Sequence, residues 1–153
     1  MENVILTNMC MVEDVVNNKV LVLNRAKGNW RGIVFPGGHV EQGESIIDST
    51  IREIKEETGL TIKNLKACGI KNWYDEDKNL RYIVFQFKTS DFEGDLIEST
   101  HEGEVFWTDK DNIRNLTSPK GFEMNLEVIL NDDINECYII KNEEKTEWQY
   151  HLK

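Results

Sequence analysis

The sequence has few cysteines, no long apolar run and a shortage of positive charge. Its three cysteines, Cys10, Cys68 and Cys137, lie far apart and follow no metal-binding spacing, so we expect buried or incidental thiols in a reducing compartment. No apolar run approaches the roughly 20 residues that a membrane-spanning helix needs. The opening stretch MENVILTNMCMVEDVV has no basic region before an apolar segment. No signal peptide is therefore predicted, and we expect a cytoplasmic protein without a membrane partner.

The acidic balance of the chain limits its partners. The 18 Lys and Arg residues against 28 Asp and Glu residues give a net charge of -10. Such a surface repels a phosphate backbone, which disfavours binding of duplex nucleic acid. A small polyanion can still bind if metal ions neutralise the contact. The length of 153 residues predicts one domain, 1–153, with a single core, and leaves monomer and homodimer both open.

Strand and helix patterns mix along the chain without strict alternation. Strands are predicted at VILTNMCMV, KVLVLNRA, residues 33–35, TIKNLKACGIKNWY, LRYIVFQFKT, GEVFWTD and both arms of ECYIIKNEEKTEWQYHL. The turn signals EDVVNNK and NEEK predict a hairpin near each end of the chain. Helices are predicted at 45–58, closed by Gly59, and at FEMNLEVIL. The mixture predicts an α+β fold in which helices cover a mixed sheet.

The first predicted helix has two chemically different sides. Helical geometry places Glu53, Glu56 and Glu57 within about 100° of one another. The other side carries Ile47, Ile51 and Ile54. We expect the isoleucines to pack on a sheet and the glutamates to face outward together.

Two interpretations of the glutamate cluster are open. A solvated acidic face is the simpler one, although like charges at helical spacing repel and Lys55 projects elsewhere. The helix also follows the glycine turn of FPGGHVEQGE, where the backbone can approach a ligand closely. Carboxylate, carbonyl and water oxygens are the ligands that Mg²⁺ prefers. The cluster therefore favours metal-assisted phosphate chemistry.

The run from Gly38 to Leu60 resembles the Nudix box of Nudix hydrolases. That box reads Gly, five residues, Glu, seven residues, Arg-Glu, an aliphatic residue, any residue, Glu-Glu, any residue, Gly and an aliphatic residue. The matching positions are Gly38, Glu44, Arg52, Glu53, Ile54, Glu56, Glu57, Gly59 and Leu60. The order of strands and helices around the box also looks like the Nudix fold, an α/β/α sandwich with a mixed sheet.

The resemblance implies a metal site with a supporting arginine. The divalent-metal ligands would be Glu53, Glu56, Glu57 and the carbonyl of Gly37 or Gly38. The metal would be Mg²⁺, with Mn²⁺ as a substitute. Arg52 and Glu44 would orient the catalytic glutamates, because charge-assisted hydrogen bonds can hold a carboxylate in one rotamer. An ordinary surface ion pair is the alternative for Arg52.

The hydrolysis that the resemblance implies needs a base for the attacking water. Families differ in whether Glu53 or a glutamate of a later loop supplies it. The loop candidates here are Glu102 and Glu104 in STHEGEV. Glu102 precedes a short strand where related enzymes often carry such a glutamate, and we count it as a catalytic and metal-binding candidate. A solvated loop acid is the alternative for both residues.

The substrate is predicted less directly. The chain resembles the MutT-like branch, whose members remove oxidised nucleotides such as 8-oxo-dGTP. The resemblance lies in the overall size, the segment NRAKGNWRGIVFPGG that leads into the box, and the terminal hairpin. Arg25 lies where such enzymes often place a cation that contacts phosphate or base, with a surface arginine near a strand end as the alternative. Asn125 offers a donor and an acceptor to a purine edge, with a helix-surface asparagine as the alternative. Phe35, Trp30 and Phe122 could stack on a base, with core packing the alternative for Phe35.

These observations together predict a Mg²⁺-dependent enzyme that converts a nucleoside triphosphate to the monophosphate and pyrophosphate. An oxidised purine nucleotide such as 8-oxo-dGTP is the expected substrate. The nearest alternative is a Nudix pyrophosphatase acting on ADP-ribose, a dinucleoside polyphosphate, a sugar nucleotide or capped RNA. A non-catalytic Nudix-fold nucleotide sensor is the alternative from another class, although such proteins commonly lose box glutamates.

Overall fold

A computed structural model describes all residues from Met1 to Lys153. The elements follow in the order β1 (Asn3–Asp14), β2 (Lys19–Arg25), β3 (Gly32–Val34), α1 (Ile46–Thr58), β4 (Thr61–Lys63), β5 (Lys66–Asp75), β6 (Leu80–Thr89), β7 (Asp91–Glu93), β8 (Ser99–Thr100), β9 (Gly103–Asp109), a 3-10 helix (Lys110–Asn115), α2 (Phe122–Leu130), β10 (Glu136–Lys141) and β11 (Trp148–Leu152). No helix of the structure is both long and apolar enough to cross a membrane.

A mixed nine-stranded sheet forms the centre of the fold. Its strands lie in the order β11-β10-β5-β6-β1-β2-β9-β8, and β3 pairs with β2 outside this path. The pairs β1–β6 and β5–β10 are parallel, whereas the other pairs are antiparallel. Strands β4 and β7 form a separate two-stranded sheet.

The two helices lie on opposite faces of the sheet. The side chain of Asn8 in β1 donates to Ser49 Oγ of α1 over 2.9 Å. The sulfur of its neighbour Met9 accepts a hydrogen bond from Asn125 Nδ2 of α2. Because successive side chains of a strand point to opposite faces, these two contacts place α1 and α2 on different sides. The predicted α+β fold with a mixed sheet between helices is confirmed.

Strand β1 changes its partner along one edge. Its last two residues, Glu13 and Asp14, pair with β2. Nearer the start, the N–H of Cys10 donates to Pro36 O over 3.0 Å and the N–H of Asn8 donates to Gly38 O over 2.8 Å. The glycine turn thus fills the gap where β1 and β2 separate, at the centre of the sheet.

Helix α1 begins and ends as the sequence predicts, but its two faces differ from expectation. Ser45 caps the start through the N–H of Asp48, and Gly59 adopts the left-handed conformation at the end with φ 81°. Ile54 is fully buried, whereas Ile47 is 41% exposed, so the prediction that all three isoleucines pack on the sheet was wrong for Ile47.

The region after α1 also departs from prediction. The single strand predicted over 61–74 is divided into β4 and β5. Asn64 between them has φ 53°, a left-handed conformation that asparagine tolerates better than most residues. β4 then pairs with β7, which the sequence did not predict, so the chain turns away before it joins the main sheet. The strand β8 and the 3-10 helix were also not predicted.

Candidate active site

One cavity of about 960 Å³ contains most of the side chains expected to act. Its acidic part is formed by Gly37, Gly38, Glu53, Glu57 and Glu102. Its aromatic part is formed by Trp30, Trp73, Tyr82, Trp148 and Tyr150. A charged end beside an aromatic one suits a ligand that joins a phosphate chain to a planar base.

The glycine turn contacts both carboxylates that α1 directs into the cavity. The N–H of Gly37 donates to Glu57 Oε2 over 3.0 Å. A Cβ on Gly38 would lie 2.3 Å from the carboxyl carbon of Glu53, and a Cβ on Gly37 would lie 2.1 Å from Asn8 O. A side chain at Gly38 therefore requires the carboxyl group of Glu53 to move, and one at Gly37 requires the backbone of β1 to move.

Arg52 is hydrogen-bonded to three glutamates at once. Its guanidinium donates to both carboxylate oxygens of Glu44, over 2.8 and 3.0 Å. It also donates to Glu53 Oε1 over 2.9 Å and to Glu56 Oε2 over 3.2 Å. The contact with Arg52 holds the pKa of Glu44 at about 2, and these carboxylates raise the pKa of Arg52. Arg52 thus joins Glu44, Glu53 and Glu56 in one network of charge-assisted hydrogen bonds.

Glu57 is buried, contrary to the expectation that all three glutamates of the cluster face outward. Its exposed fraction is only 9% because the glycine turn covers the end of α1. Burial raises the pKa of Glu57 to about 7, and the negative charges of Glu53 and Glu102 act in the same direction. The hydrogen bond from Gly37 and the charge of Arg25 oppose this increase. A buried acid near two other acids favours a bound cation.

Strand pairing brings Glu102 and Arg25 to the acidic part. Arg25, the last residue of β2, pairs with Gly103 in β9, so the preceding Glu102 lies next to it. Both residues line the cavity. Glu104 pairs with Asn24, is exposed and does not line the cavity. Of the two loop glutamates considered, the structure therefore places only Glu102 at the site.

The predicted metal ligands are not all gathered in this structure. Glu56 lies outside the cavity and is ion-paired with Arg52, and no group of three His, Cys, Asp or Glu residues has a metal-binding arrangement. The donor set still fits a hard divalent cation, since Glu53, Glu57 and Glu102 face one space and Glu57 has no cationic hydrogen-bond partner. Gly38 O already accepts from Asn8, so the carbonyl of Gly37 is the better candidate.

The residues predicted to contact the base occupy different positions. Asn125 is fully buried, donates to Met9 Sδ over 3.3 Å, and its Oδ1 has no hydrogen-bond partner. It is therefore not the helix-surface asparagine that was the alternative. Phe35 lines the cavity but is 2% exposed, with its ring edge-to-face against Phe122 at 5.2 Å. Trp30 lines the cavity, whereas Phe122 does not.

Several lining residues were missed from the sequence. Lys71 and Trp73 of β5 point to the same face, and β6 places Tyr82 beside Trp73 with the two rings stacked at 4.8 Å. Trp148 and Tyr150 come from the terminal strand β11. The alternation of β5 predicts that Lys71 and Trp73 share a face, but sequence spacing does not indicate which face borders the cavity.

Comparison with known proteins gives a consistent family assignment. Residues 8–126 match the NUDIX domain family model. The chain is 34% identical over 108 residues to the uncharacterized Nudix hydrolase YvcI of Bacillus subtilis, covering 69% of this chain and 67% of YvcI. A crystal structure of a mutator MutT protein from Bacillus halodurans superposes with a TM-score of 0.78 at 30% identity, covering 97% of both chains.

Two further relatives differ in the activity that their names give. An ADP-ribose pyrophosphatase of Methanocaldococcus jannaschii is 33% identical over 65% of this chain and 60% of its own length. The putative 8-oxo-dGTP diphosphatase YtkD of Bacillus subtilis is 44% identical over 33% of this chain and 36% of its own length. The chain thus spans less than two thirds of both relatives, and their names do not agree on one substrate.

Proposed function

The chain belongs to the NUDIX family of hydrolases, and from this premise we propose that it is a Mg²⁺-dependent nucleoside triphosphate pyrophosphohydrolase. The substrate would be an oxidised purine nucleotide such as 8-oxo-dGTP, and the products would be the monophosphate and pyrophosphate. The observation that supports this proposal most is the meeting of Glu53, Glu57 and Glu102 at one end of a cavity whose other end is aromatic.

The acidic part would hold the metal and the phosphates. Glu53, Glu57 and Glu102 would hold Mg²⁺ together with the carbonyl of Gly37, and Glu56 could join by exchanging its contact with Arg52. When bound, Mg²⁺ neutralises charge on phosphate oxygens during attack by water.

The protein's own residues orient the reaction. Arg52, held by both oxygens of Glu44, keeps the Glu53 carboxylate aimed at Gly38 and into the cavity. Arg25 contributes a positive charge on the same side, next to Glu102, where it can contact a phosphate oxygen. Glu102 and Glu53 are the two candidates for the base that takes a proton from the attacking water.

The aromatic part would hold the base. Asn125 Oδ1 is buried without a partner, and a buried acceptor left unpaired costs stability unless a ligand satisfies it. A purine N–H can supply that hydrogen bond. Phe35, which lines the cavity and packs edge-to-face on Phe122, would contact the edge of the base.

ADP-ribose is the second candidate substrate. The similarity to the Methanocaldococcus jannaschii enzyme favours it, because that match covers about twice as much of this chain as the match to YtkD. The cavity of about 960 Å³ is also lined by Trp148 and Tyr150 of β11, which would contact the second nucleoside-like part of ADP-ribose.

A nucleotide panel tests the proposal. Purified protein with Mg²⁺ should release pyrophosphate from 8-oxo-dGTP faster than it releases AMP from ADP-ribose, as measured by product chromatography. Turnover confined to ADP-ribose or dinucleoside polyphosphates would reject the substrate, and no hydrolysis of any diphosphate would reject the activity.

A matched pair of variants adds a control to the panel. Glu102→Gln removes a carboxylate from the cavity, whereas Glu104→Gln makes the same change two residues away on the exposed side of β9. If Glu102 is the base, its loss should slow turnover by about 10²- to 10⁴-fold. Glu104→Gln should leave turnover unchanged, and equal rates for the two variants would exclude this role for Glu102.

A further inference from the structure

Lys71 is a buried lysine whose ammonium group has no anionic and no hydrogen-bonding partner within the fold. It lies in β5 and is only 7% exposed. Its ammonium forms no ion pair and no hydrogen bond within the protein, and its nearest recorded contact is the face of Trp30, with Nζ 5.0 Å from the ring centroid. Lysine is almost never fully buried unless it is paired.

Burial of Lys71 is therefore unfavourable for the folded state. Desolvation lowers the pKa of Lys71 to about 8, which the nearby Cys137 thiol and the negative charge of Glu123 only partly oppose. An uncompensated cost of this kind points to a ligand that completes the site. Lys71 lines the same cavity as Asn125, so the base-binding region holds an unused donor and an unused acceptor.

The surroundings indicate which chemical group completes the site. Phosphate sites gather several cations, but of the two other lysines that line the cavity Lys78 is already paired with Asp75 over 3.1 Å and Lys120 is exposed, so neither is a second buried cation beside Lys71. Trp30 and Trp73 also line the cavity; Lys71 lies over one face of Trp30 and Tyr82 stacks on one face of Trp73, so a base would stack on the remaining faces. An ammonium group only donates hydrogen bonds, so its partner on a base must be an acceptor such as a carbonyl oxygen.

We propose that Lys71 is a specificity-determining residue that donates to a carbonyl oxygen of the base, so that the cavity prefers 6-oxopurine to 6-aminopurine nucleotides. This inference rests on the proposed function and narrows its substrate class. A 6-oxopurine offers the O6 acceptor to Lys71 and the N1–H donor to Asn125 Oδ1. A 6-aminopurine would direct an amino donor at the ammonium and leave Asn125 unpaired.

The test compares two nucleotides that differ only at this edge, dITP and dATP. We expect the wild-type protein to prefer dITP in kcat/KM by about 10- to 100-fold, the range of one hydrogen bond to a charged group. Lys71→Met should bring that ratio close to one, mainly by slowing dITP. Lys71→Gln keeps a donor without the charge and should retain part of the preference.

Lys66→Met is the matched control. Lys66 is the first residue of β5, loses the same charge on substitution, and lies outside the cavity in an exposed contact with Asp132. The ratio of its kcat/KM for dITP to its kcat/KM for dATP should equal that of the wild type. Thermal unfolding of each variant should show that it is folded, so that a lost ratio is not a lost fold.

The outcomes for Lys71 and for the proposed function can be separated. If the wild type hydrolyses neither dITP nor dATP, calorimetric binding of the two nucleotides with Ca²⁺ in place of Mg²⁺ decides the inference. The proposed activity fails only if the nucleotide panel, 8-oxo-dGTP included, also shows no hydrolysis. A binding preference for dITP that Lys71→Met removes supports the role of Lys71. Three results would overturn the role of Lys71. The wild type could show no preference between dITP and dATP, Lys71→Met could keep the preference of the wild type, or the protein could bind neither nucleotide.

Discussion

The backbone N–H of Gly37 donates a hydrogen bond to the carboxylate of Glu57 over 3.0 Å, although the two residues lie 20 positions apart. This contact joins the glycine turn to the last turn of α1. It also explains why an acid is buried there, since a carboxylate that accepts a backbone hydrogen bond loses less on leaving water. The turn and the helix therefore form one unit, and substitutions in either should affect the other.

The two glycines of the turn should respond differently to alanine. In Gly38→Ala the new Cβ meets the movable carboxyl group of Glu53, so we expect Glu53 to swing away and kcat to fall on the order of 10²-fold, with little change in melting temperature. In Gly37→Ala the Cβ meets the backbone oxygen of Asn8, which cannot move freely. That variant should lose about 1–3 kcal/mol in free energy of unfolding.

Steady-state kinetics and urea unfolding of both variants check this prediction. Loss of stability in Gly38→Ala equal to that in Gly37→Ala would show that Glu53 cannot move aside, and would contradict the distinction drawn from the two contacts.

Replacement of Arg52 by lysine should reduce turnover while the charge is kept. Lysine cannot contact Glu44 through two nitrogens and also reach Glu53, so Glu53 loses its fixed rotamer. We expect a loss of about 10- to 100-fold in kcat, as for other groups that orient metal ligands. Arg81→Lys is the control, because Arg81 binds Glu2 through two nitrogens outside the cavity. Full activity in Arg52→Lys would mean that Glu53 needs no such support.

The part of the site that lies on one helix could be predicted from the sequence. Arg52, Glu53 and Glu56 lie within one turn of a single helix, so helical geometry alone places them together. The burial of Glu57 could not be predicted in the same way. It depends on the glycine turn filling the gap between β1 and β2, a contact between distant segments.

The base-binding region depends even more on contacts between distant segments, which the sequence does not predict. Lys71 meets Val84 and Trp73 meets Tyr82 through antiparallel pairing, and parallel pairing then sets β10 beside β5. No short-range pattern specifies that β10 joins this edge, because a terminal hairpin can stand alone or add to either edge of a sheet. The predicted hairpin was confirmed, but its place in the sheet, and hence the positions of Trp148 and Tyr150, required the structure.

The substitution Glu57→Gln should separate stability from activity. The neutral amide removes a buried charge that Glu53 and Glu102 repel, so in EDTA the variant should melt at the same temperature as the wild type or higher. Turnover should nearly vanish. Mg²⁺ should raise the melting temperature of the wild type by linkage, and that of the variant less.

Calorimetric melts with and without Mg²⁺ provide the measurement, with Glu104→Gln as the control that should respond to Mg²⁺ like the wild type. An identical Mg²⁺ shift in wild type and Glu57→Gln would remove Glu57 from the metal site.

The stability of Lys71→Met should depend on pH in a defined direction. Burial lowers the pKa of Lys71 from 10.5 to about 8. Between these two pH values the unfolded chain binds more protons than the folded one. The contribution of Lys71 therefore makes the wild type more stable as the pH rises. At pH 7 the charged lysine costs about 3 kcal/mol, which methionine does not incur. Lys71→Met should therefore exceed the wild type in free energy of unfolding at pH 7, and the excess should shrink steadily toward pH 10.

Urea titrations of both proteins at several pH values measure this difference in free energy of unfolding, with Lys66→Met as the control that shows no such trend. A constant difference between pH 7 and pH 10 would mean that Lys71 stays solvated in the folded protein, and its burial would then give no energetic reason for a ligand to bind it.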